Sequence, residues 1–462
     1  MRTVVVGGGP VGMFCAIALA RRGDEVIVVD RDPGPPASGR WARRGVMQFL
    51  LPHFFRPIVR QALTGTLPEV WDALLAAGGV PARPPGFPAE MTGLECRRST
   101  FERALWAAAR REPRLALRTG HADRPVTRNG RLTGVTVDGQ TVDADLVIAA
   151  TGRASRFAAA ARAPAEGGAC GFSYVARMYR ARPGTELASS GIPMASLYRG
   201  YLAMVFPQDA RTLSALIVRP TADAALAPLR HAHCFDAAAR LIPQLAPWTD
   251  PGRFEPITGV MAGGGLTNTY RGQLDKHGRV AIPGLFFTGD TVCTTYPAAG
   301  RGVSLGLRQA QTLTGLLTSR RADPRDVAEQ FDTWCTAHIR PWYDDHRHVD
   351  AAMLHRMGGG DIDAEATIPS DVICAAAEKD PTIWAAARPY LAMQAPPSIL
   401  DPVQDKARAA LRTGWRPPYA DGPTRSQLAD LITRPPRQKR DRSGQLAALA
   451  QQGQPVPAAC RS

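Results

Sequence analysis

A glycine turn close to the start of the chain limits what this sequence can fold into. The segment VVVGGGPVG places Gly7, Gly9 and Gly12 in the spacing G-x-G-x-x-G, between a β-branched run at 3–6 and a helical pattern at 11–22. In such a turn the first glycine permits the tight bend, the second admits a pyrophosphate to the backbone, and the third lets the helix pack closely on the strand. The segment therefore predicts a β-α-β unit that binds a nucleotide.

An acidic residue stands where such a unit would hold a ribose. A second strand at 25–30 ends in Asp30, eighteen residues after Gly12, and an acid at this point binds an adenosine ribose hydroxyl. A tight turn without a nucleotide is the alternative, but the ordered series of strand, turn, helix, strand and acid argues against it. The unit alone does not distinguish NAD from FAD.

A strand end far along the chain favours the longer cofactor. The stretch GLFFTGDTVCTTYPAAGRGVSLGL at 284–307 passes from an apolar strand through Asp290 into small residues and then a helix at 303–319. Asp290 could accept hydrogen bonds from a ribityl hydroxyl, and the amides at the helix start could face the negative charge of a reduced flavin. FAD is long enough to need holding at both ends.

Four segments in this order resemble the FAD-dependent aromatic hydroxylases and epoxidases with the p-hydroxybenzoate hydroxylase fold. They are VVVGGGPVG with Asp30, RRSTFERAL from Arg97, ADLVIAATGRASR from Ala144 and TGDTVCTTYPAAGRGVSLGL from Thr288. The resemblance implies an α/β fold in which a glutathione-reductase-like Rossmann domain binds FAD, carries an inserted antiparallel-sheet substrate domain and precedes a C-terminal helical region.

The resemblance also implies a set of cofactor contacts. In the family, the Asp matching Asp290 contacts the riboflavin part, the Pro matching Pro297 lies beside the flavin ring, and the Arg matching Arg98 contacts the flavin chain. The expected cofactor-binding residues are Gly7, Gly9, Pro10, Val11, Gly12, Asp30, Arg31, Arg43, Arg44, Arg98, Thr151, Gly152, Gly289, Asp290, Pro297, Gly300, Arg301, Gly302 and Val303. No metal site is expected.

One position departs from the hydroxylase pattern. Those enzymes usually carry Asp-Gly where this chain has Thr151 and Gly152, and their Asp is implicated in handling both FAD and NAD(P)H. A threonine can hydrogen-bond but places no carboxylate there, and the ATGRASR form is more similar to that of bacterial epoxidases and prenyl reductases. NAD(P)H is therefore expected as the electron source either directly or through a separate flavin reductase.

The segment WARRGVMQFLLPHFF is similar to an Arg-x-Gly-Val-Pro-Gln segment of the same relatives, with Met47 in place of the proline. Arg43 or Arg44 could neutralise the pyrophosphate, and Gln48 or His53 could face the flavin or the substrate. A surface arginine loop and a histidine at a helix start are the alternatives. The candidates that face the reacting atoms are Pro297, Arg44 and His53, with no acid–base pair assigned.

Changes in sequence character divide the chain into parts. Stretches such as YLAMVFP and TLSALIVRP alternate in the manner of an antiparallel sheet, and the Pro-rich VPARPPGFP at 80–88 is expected to be a connector. A helix is predicted at 98–111, and a hairpin at 131–150 with its turn at Asp138 and Gly139. The expected parts are a discontinuous FAD-binding domain at 1–75, 96–160 and 275–325, a substrate domain at 76–95 and 161–274, a helical region at 326–430 and a flexible tail at 431–462.

The charge and cysteine content argue against other classes of protein. The net charge of +15 rests on 56 Lys and Arg residues, of which only four are Lys, so the excess indicates coding bias and no nucleic-acid partner is expected. Eight cysteines lie far apart without metal-ligand spacing, which is typical of a reduced intracellular protein. No targeting segment or membrane span is predicted, and the expected location is cytoplasmic.

A histidine-rich segment near residue 340 is the other candidate for a site. HIRPWYDDHRHVD at 338–350 carries three histidines among acids, but the spacing is not that of a known metal site. A solvated helical face is the expectation.

The resemblance implies an oxidoreductase that uses O2. The expected reaction is hydroxylation or epoxidation of a small apolar or aromatic molecule, for example a secondary metabolite, through a flavin C4a-hydroperoxide, with the inserted sheet as the substrate wall. A halogenase is disfavoured because the chain has no Trp-x-Trp-x-Ile-Pro segment and no Lys before Lys276. A flavin-dependent dehydrogenase or prenyl reductase is the main alternative, and a prenyl-binding carrier without flavin is a further one.

Overall fold

The computed structural model describes residues 1–39, 41–43, 45–84, 86–187, 194–318 and 322–433. The strands are β1 (Arg2–Val6), β2 (Glu25–Asp30), β3 (Val80–Ala82), β4 (Gly93–Glu95), β5 (Leu115–Thr119), β6 (Ala122–Arg128), β7 (Arg131–Val137), β8 (Gln140–Asp143), β9 (Leu146–Ala149), β10 (Glu166–Ala169), β11 (Phe172–Ala181), β12 (Met194–Tyr198), β13 (Tyr201–Gln208), β14 (Thr212–Pro220), β15 (Phe254–Pro256), β16 (Met261–Gly263), β17 (Thr267–Tyr270), β18 (Leu285–Phe287) and β19 (Cys293–Thr294). The helices are α1 (Pro10–Arg21), α2 (Pro57–Thr66), α3 (Pro68–Ala76), α4 (Arg98–Ala109), α5 (Ala232–Leu241), α6 (Ala246–Thr249), α7 (Gly302–Leu316), α8 (Pro324–His338), α9 (Arg340–Met357), α10 (Ser370–Ala375), α11 (Trp384–Leu391), α12 (Gln404–Arg412) and α13 (Arg425–Thr433).

A parallel sheet of five strands, in the order β18-β9-β1-β2-β5, carries the predicted nucleotide turn. Its central strands read as continuous buried apolar runs, VVV in β1 and LVIA in β9, as expected when both faces of a parallel sheet are covered. Helix α1 packs against α4 and α7. Because the strands are parallel, the carboxyl ends of β1, β9 and β18 meet at one edge, where ligands bind in sheets of this kind.

An antiparallel sheet in the order β12-β13-β14-β11-β15, with β16 also paired to β11, forms the inserted unit. Its side chains alternate between two apolar clusters. One face carries Phe172, Tyr174, Ala176, Leu202, Met204, Phe206, Leu216 and Val218. The other face, with residues such as Tyr201, Val205 and Ile217, packs on a cluster that includes Phe235 and Leu428 from α5 and α13. The predicted α/β fold with an inserted antiparallel sheet is confirmed.

The C-terminal part of the described chain is helical, as expected. Helices α8 and α9 pack together, and α9 lies against β17 of a small sheet, β10-β17-β19. Helix α13 returns to the inserted unit and packs on α5. Within the described ranges, no helix combines the length and the apolar character that crossing a bilayer requires. The end of the predicted flexible tail, 434–462, lies outside the described residues.

Two local predictions need correction. The hairpin predicted over 131–150 is formed by β7 and β8 alone, with positive φ at Asp138 and Gly139, while β9 leaves it to join the parallel sheet. The Pro-rich 80–88 is not only a connector, because β3 pairs with β4. Both errors arise because the sequence of a strand does not say which strand it pairs with.

Candidate functional site

A cleft that is open to solvent lies where the edge of the parallel sheet meets the inserted sheet. Its walls come from the glycine turn, the segment before α2, the ends of β9 and β18, the loop before α7 and two strands of the inserted sheet. The lining residues are Gly9, Pro10, Val11, Gln48, Leu51, Pro52, His53, Phe54, Arg98, Ala150, Gly152, Arg153, Tyr174, Phe206, Gly289, Asp290, Thr294, Thr295, Pro297, Gly300, Gly302 and Val303. Most of the residues predicted for the site lie in this lining.

The glycine turn is shaped by close packing at two positions and open space at a third. Gly7 has φ +109°, and a Cβ there would lie 2.4 Å from the Ala150 carbonyl oxygen. A Cβ on Gly12 would lie 1.9 Å from the Gly7 carbonyl oxygen, whereas one on Gly9 would meet nothing within 4 Å. Since α1 begins at Pro10, the open space at Gly9 fits a pyrophosphate at a helix N-terminus.

Asp30, at the end of β2, holds the glycine turn by a hydrogen bond. Its Oδ2 accepts hydrogen bonds from the Gly8 amide at 2.6 Å and from Arg43 at 2.5 Å, and its Oδ1 accepts one from the Asp32 amide at 2.8 Å. Asp30 is not among the residues that line the cleft. A carboxylate offers about four acceptor positions, so one remains for a ribose hydroxyl.

The arginines predicted to bind the cofactor after β2, which are Arg31, Arg43 and Arg44, differ in their surroundings. Arg43 is buried and donates to Glu102 at 2.6 Å, to Asp30 and to the Gly8 carbonyl oxygen. The expectation that Arg43 neutralises a pyrophosphate is therefore not supported, because two carboxylates already neutralise its charge. Arg31 is exposed and approaches Gly45. Arg44 lies outside the described residues.

Asp290, which follows β18, presents its carboxyl group to the cleft. Burial raises the pKa of Asp290 above its usual value, while the charges of Arg98 and Arg153 lower it less strongly. Among the described residues, none donates a hydrogen bond to this carboxyl group. The preceding Gly289, with φ +70°, is fixed by its amide, which donates to Gln309 Oε1 at 2.9 Å. An acceptor held in place without a donor fits a ligand that brings hydroxyl groups.

Two threonine hydroxyls near the cleft are also without partners among the described residues. The hydroxyl oxygens of Thr151 and Thr295 are buried and make no hydrogen bond. Thr295 lines the cleft, and Thr151 directly precedes the lining residue Gly152. Buried polar groups are normally paired, so these orphaned hydroxyls indicate a polar ligand. Together with Asp290 and the space at Gly9, they fit FAD.

The backbone of the loop before α7 faces the cleft, and the side chain of Arg301 anchors this loop. Gly300, with φ +64°, and Gly302 line the cleft. Between them, the Arg301 side chain points away and donates to Asp345 at 2.7 Å and to the Tyr390 hydroxyl at 2.5 Å. Arg301 thus holds the loop before α7 in place and does not itself face the cleft.

The partners of Arg301 were missed by sequence reasoning. Asp345 belongs to the segment 338–350, for which a solvated helical face was expected. That prediction is wrong for His346 and Asp350, which are buried. Tyr390 lies in α11 and gave no signal in the sequence. No group of His, Cys, Asp or Glu side chains in the described part of the chain is arranged to hold a metal ion.

His53 lines the cleft as a neutral imidazole. Burial and the nearby Arg98 lower the pKa of His53 to about 3, so it carries no proton charge at neutral pH. Its Nδ1 lies 2.9 Å from the Leu51 carbonyl oxygen, which leaves Nε2 as an acceptor when Nδ1 is the protonated nitrogen. It precedes α2 by four residues, so it is not a residue of the helix start.

The inserted sheet supplies the apolar wall of the cleft. Tyr174 of β11 and Phe206 of β13 line it directly and belong to the apolar face that also carries Leu202 and Met204. Arg153, beside Gly152, is the remaining charged lining residue. Tyr174 and Arg153 were not singled out from the sequence, because nothing in strand alternation or in a loop arginine marks the side of a cleft.

This chain is similar in sequence to known proteins. A family model described as FAD dependent oxidoreductase matches residues 3–239. The digeranylgeranylglycerophospholipid reductase of Methanospirillum hungatei is 32% identical over 168 residues, a match that spans 34% of this chain and 39% of that relative.

Solved structures with the same architecture include flavin enzymes. The flavin-dependent brominase Bmp2 has a TM-score of 0.63 at 14% identity, over 90% of this chain and 98% of the brominase. PqsL, a probable FAD-dependent monooxygenase from Pseudomonas aeruginosa, has a TM-score of 0.58 at 14% identity, over 78% of this chain and 98% of PqsL. At this identity the likeness shows the fold, and it confirms the predicted p-hydroxybenzoate hydroxylase-like architecture.

Proposed function

Since the chain belongs to the FAD dependent oxidoreductase family, we propose that it is a monooxygenase that hydroxylates or epoxidises a small apolar or aromatic molecule. The observation that carries this proposal is the apolar face of the inserted sheet, which lines the same cleft as Asp290 and Pro297. An electron-rich ring or an alkene packed on Tyr174 and Phe206 would lie beside the cofactor loop. The probable monooxygenase PqsL has the same fold.

Different residues of the cleft would bind different parts of FAD. The start of α1 and the space at Gly9 would take the pyrophosphate, Asp290 the ribityl hydroxyls, and the backbone from Pro297 to Gly302 the flavin ring. Arg98 also lines the cleft. When bound and reduced, FAD supplies the activation of O2. The protein must then orient the substrate and exclude water, which suits an apolar wall and a neutral His53.

The proposal is tested on the purified, FAD-loaded protein. Its absorption spectrum is followed under anaerobic conditions as NADH or NADPH is added, first alone and then with a separate flavin reductase. Reduction by NAD(P)H alone indicates a one-component enzyme, and reduction only with the second protein indicates a two-component system. Oxygen uptake with aromatic and alkene substrates should then match the formation of a product that contains an atom from ¹⁸O2.

A second function is favoured by a different observation. Thr151 stands where the hydroxylases carry a carboxylate, and the reductase of Methanospirillum hungatei matches part of this chain at 32% identity. The alternative is therefore a flavin-dependent reductase or dehydrogenase that acts on an apolar substrate. Product formation that continues in the strict absence of O2 would establish this alternative and exclude the monooxygenase.

A further inference from the structure

Arg153 is a cation of the cleft that makes no ion pair with a described residue, although its charge lowers the pKa of Asp290. Its Nη1 donates to the Gly265 carbonyl oxygen at 3.3 Å, and its Nη2 lies 3.4 Å from the sulfur of Met47. The contact to the carbonyl oxygen is long, the thioether sulfur is a weak acceptor, and both partners are uncharged. A guanidinium has five N–H donors in a planar fork, so most of the binding capacity of Arg153 is unused among the described residues.

The neighbouring arginines are engaged differently. Arg98 donates to Glu102 at 2.5 Å, Arg301 is paired with Asp345, and Arg56 does not line the cleft but donates to backbone carbonyl oxygens. Of the described lining residues, Arg153 is therefore the arginine without an ion-pair partner. It is exposed as the cleft stands, but a substrate that packs on the inserted sheet would cover it.

Covering an unpaired cation removes it from water, which is costly unless the ligand brings an opposite charge. Arg153 lines the same cleft as Tyr174 and Phe206. Burial raises the pKa of the Tyr174 hydroxyl, and the charge of Arg153 lowers it in part. A ligand that satisfies both features has an aromatic or apolar body and an anionic end. Carboxylates and phosphates match the guanidinium fork with two parallel hydrogen bonds.

We propose that the cleft takes a substrate with a carboxylate group and that Arg153 binds this group and determines the specificity for it. The inference rests on the proposed function, because it concerns the substrate of the same cleft. FAD and NAD(P)H also carry phosphates, but the space at Gly9 before α1 already offers a site for the pyrophosphate of FAD.

The test uses the oxidised, FAD-loaded protein and matched pairs of probes, benzoate with benzamide and 2-naphthoate with 2-naphthamide. Binding is read from the change that each probe causes in the flavin absorption spectrum. The acids should bind at least about tenfold more tightly than the amides, since a hydrogen bond to a charged group contributes about 1.5–3 kcal/mol. In Arg153→Gln the acids should lose about ten- to a hundredfold in affinity, the amides should be unchanged, and Arg153→Lys should retain part of the preference.

Arg156→Gln is the matched control, because it removes the same charge from an exposed residue three positions away that does not line the cleft. Equal binding of acids and amides by the unaltered protein would overturn the proposal. So would an Arg153→Gln variant that keeps the preference for acids but loses affinity for FAD or for NADPH, since the anion would then belong to a dinucleotide. No oxygen transfer is needed for these measurements, so failure of the monooxygenase function would be seen separately.

Discussion

Asp290 is the residue whose charge depends most directly on what fills the cleft. In the structure its carboxyl group is half-buried at the cleft, its pKa is raised, and no described residue donates to it. A ribityl hydroxyl that donates a hydrogen bond would favour the charged form and lower this pKa. We therefore expect Asp290→Asn to weaken FAD binding by about ten- to a hundredfold, the loss of one hydrogen bond to a charged acceptor. Isothermal titration of the apoprotein with FAD measures this change.

The same argument fixes the sign of a pH effect. Because FAD favours the ionised carboxyl group, its binding releases a proton from Asp290, and the affinity for FAD should fall as pH decreases through the raised pKa of the free protein. The Asp290→Asn variant should lack this dependence in the same window. An affinity of the unaltered protein that rises toward acid pH would contradict the assignment of Asp290 to the ribityl chain.

Single residues also show how far the sequence could lead. Gly7 and Gly12 could be predicted because the bend and the close packing at a nucleotide turn exclude a side chain whatever surrounds them. The roles of Arg43 and Arg301 could not, because their partners Glu102 and Asp345 are distant in sequence and meet them only through tertiary packing. An arginine beside a predicted site can equally face a ligand or brace the loop that does.

At the scale of elements, the loop before α7 depends on an anchor in α9 and α11. Arg301 is buried, paired with Asp345, and close to the rings of Trp342 and Tyr390, whose centroids lie 4.8 and 4.9 Å from its guanidinium carbon. Removing one partner of a buried ion pair costs about 3–5 kcal/mol. We expect Asp345→Asn to lower the free energy of unfolding by about this amount. Tyr390→Phe should lower it by about 1–3 kcal/mol, because the hydroxyl that it removes hydrogen-bonds with Arg301, Asp345 and Ser370, which are left unsatisfied.

Urea denaturation of the apoprotein measures both changes, and the exposed pair of Arg412 with Glu365 provides the control. Glu365→Gln removes an ion pair of the same kind from the surface, where such pairs contribute at most about 1 kcal/mol. Equal effects of Glu365→Gln and Asp345→Asn would show that Arg301 is not an anchor. Because the loop backbone faces the cleft, Tyr390→Phe should also shift the absorption maxima of bound flavin.

Helix α9 carries a group that links pH to the stability of the fold. Asp350 accepts a hydrogen bond from Asn268 at 2.6 Å. Burial raises the pKa of Asp350 to about 7; this hydrogen bond and the charge of Arg301 oppose the shift, and the charges of Asp345 and Asp371 assist it. The ordinary value is about 3.9, so the folded protein holds this proton more tightly than the unfolded chain does. Its contribution to stability is complete below about pH 4 and is lost as pH rises through about 7.

Asp350→Asn keeps an acceptor for Asn268 without an ionisable group. Relative to the unaltered protein, this variant should be more stable at pH 8 and equally or less stable at pH 4, in urea denaturation at each pH. Parallel stability curves for the two proteins from pH 4 to pH 8 would show that Asp350 does not titrate in this range.

Elements differ in how well the sequence predicts them. Strand β2 has the predicted bounds, and α1, α4 and α7 lie within a few residues of theirs, because local patterns and turn residues set their ends. The pairing of β9 and the burial of α9 were not predictable in this way. Both depend on which distant element lies opposite. The histidines and acids of α9 are typical of a solvated helix, and the sequence does not show that the buried Arg301 faces them.

At the scale of the whole molecule, the cleft joins the parallel sheet, the inserted sheet and the loop that α9 and α11 anchor, so a bound cofactor should stabilise all of them together. A ligand that binds only the folded state adds about 2.7 kcal/mol when its concentration is a hundred times its Kd. Substitutions of Gly9 and Gly12 allow the stabilisation by bound FAD to be separated from the stability of the apoprotein. Gly9→Ala places a methyl group in open space, at φ −79° where any residue is allowed, whereas Gly12→Ala places one against the Gly7 carbonyl oxygen.

Without FAD, Gly9→Ala should therefore melt at the temperature of the unaltered protein, and Gly12→Ala well below it. With excess FAD, the melting temperature of the unaltered protein should rise, while that of Gly9→Ala should stay where it was, because the new methyl group occupies the space of the pyrophosphate. Thermal scans of the three apoproteins with and without FAD make the comparison. A Gly9→Ala variant that FAD stabilises normally would mean that the pyrophosphate does not lie at the start of α1.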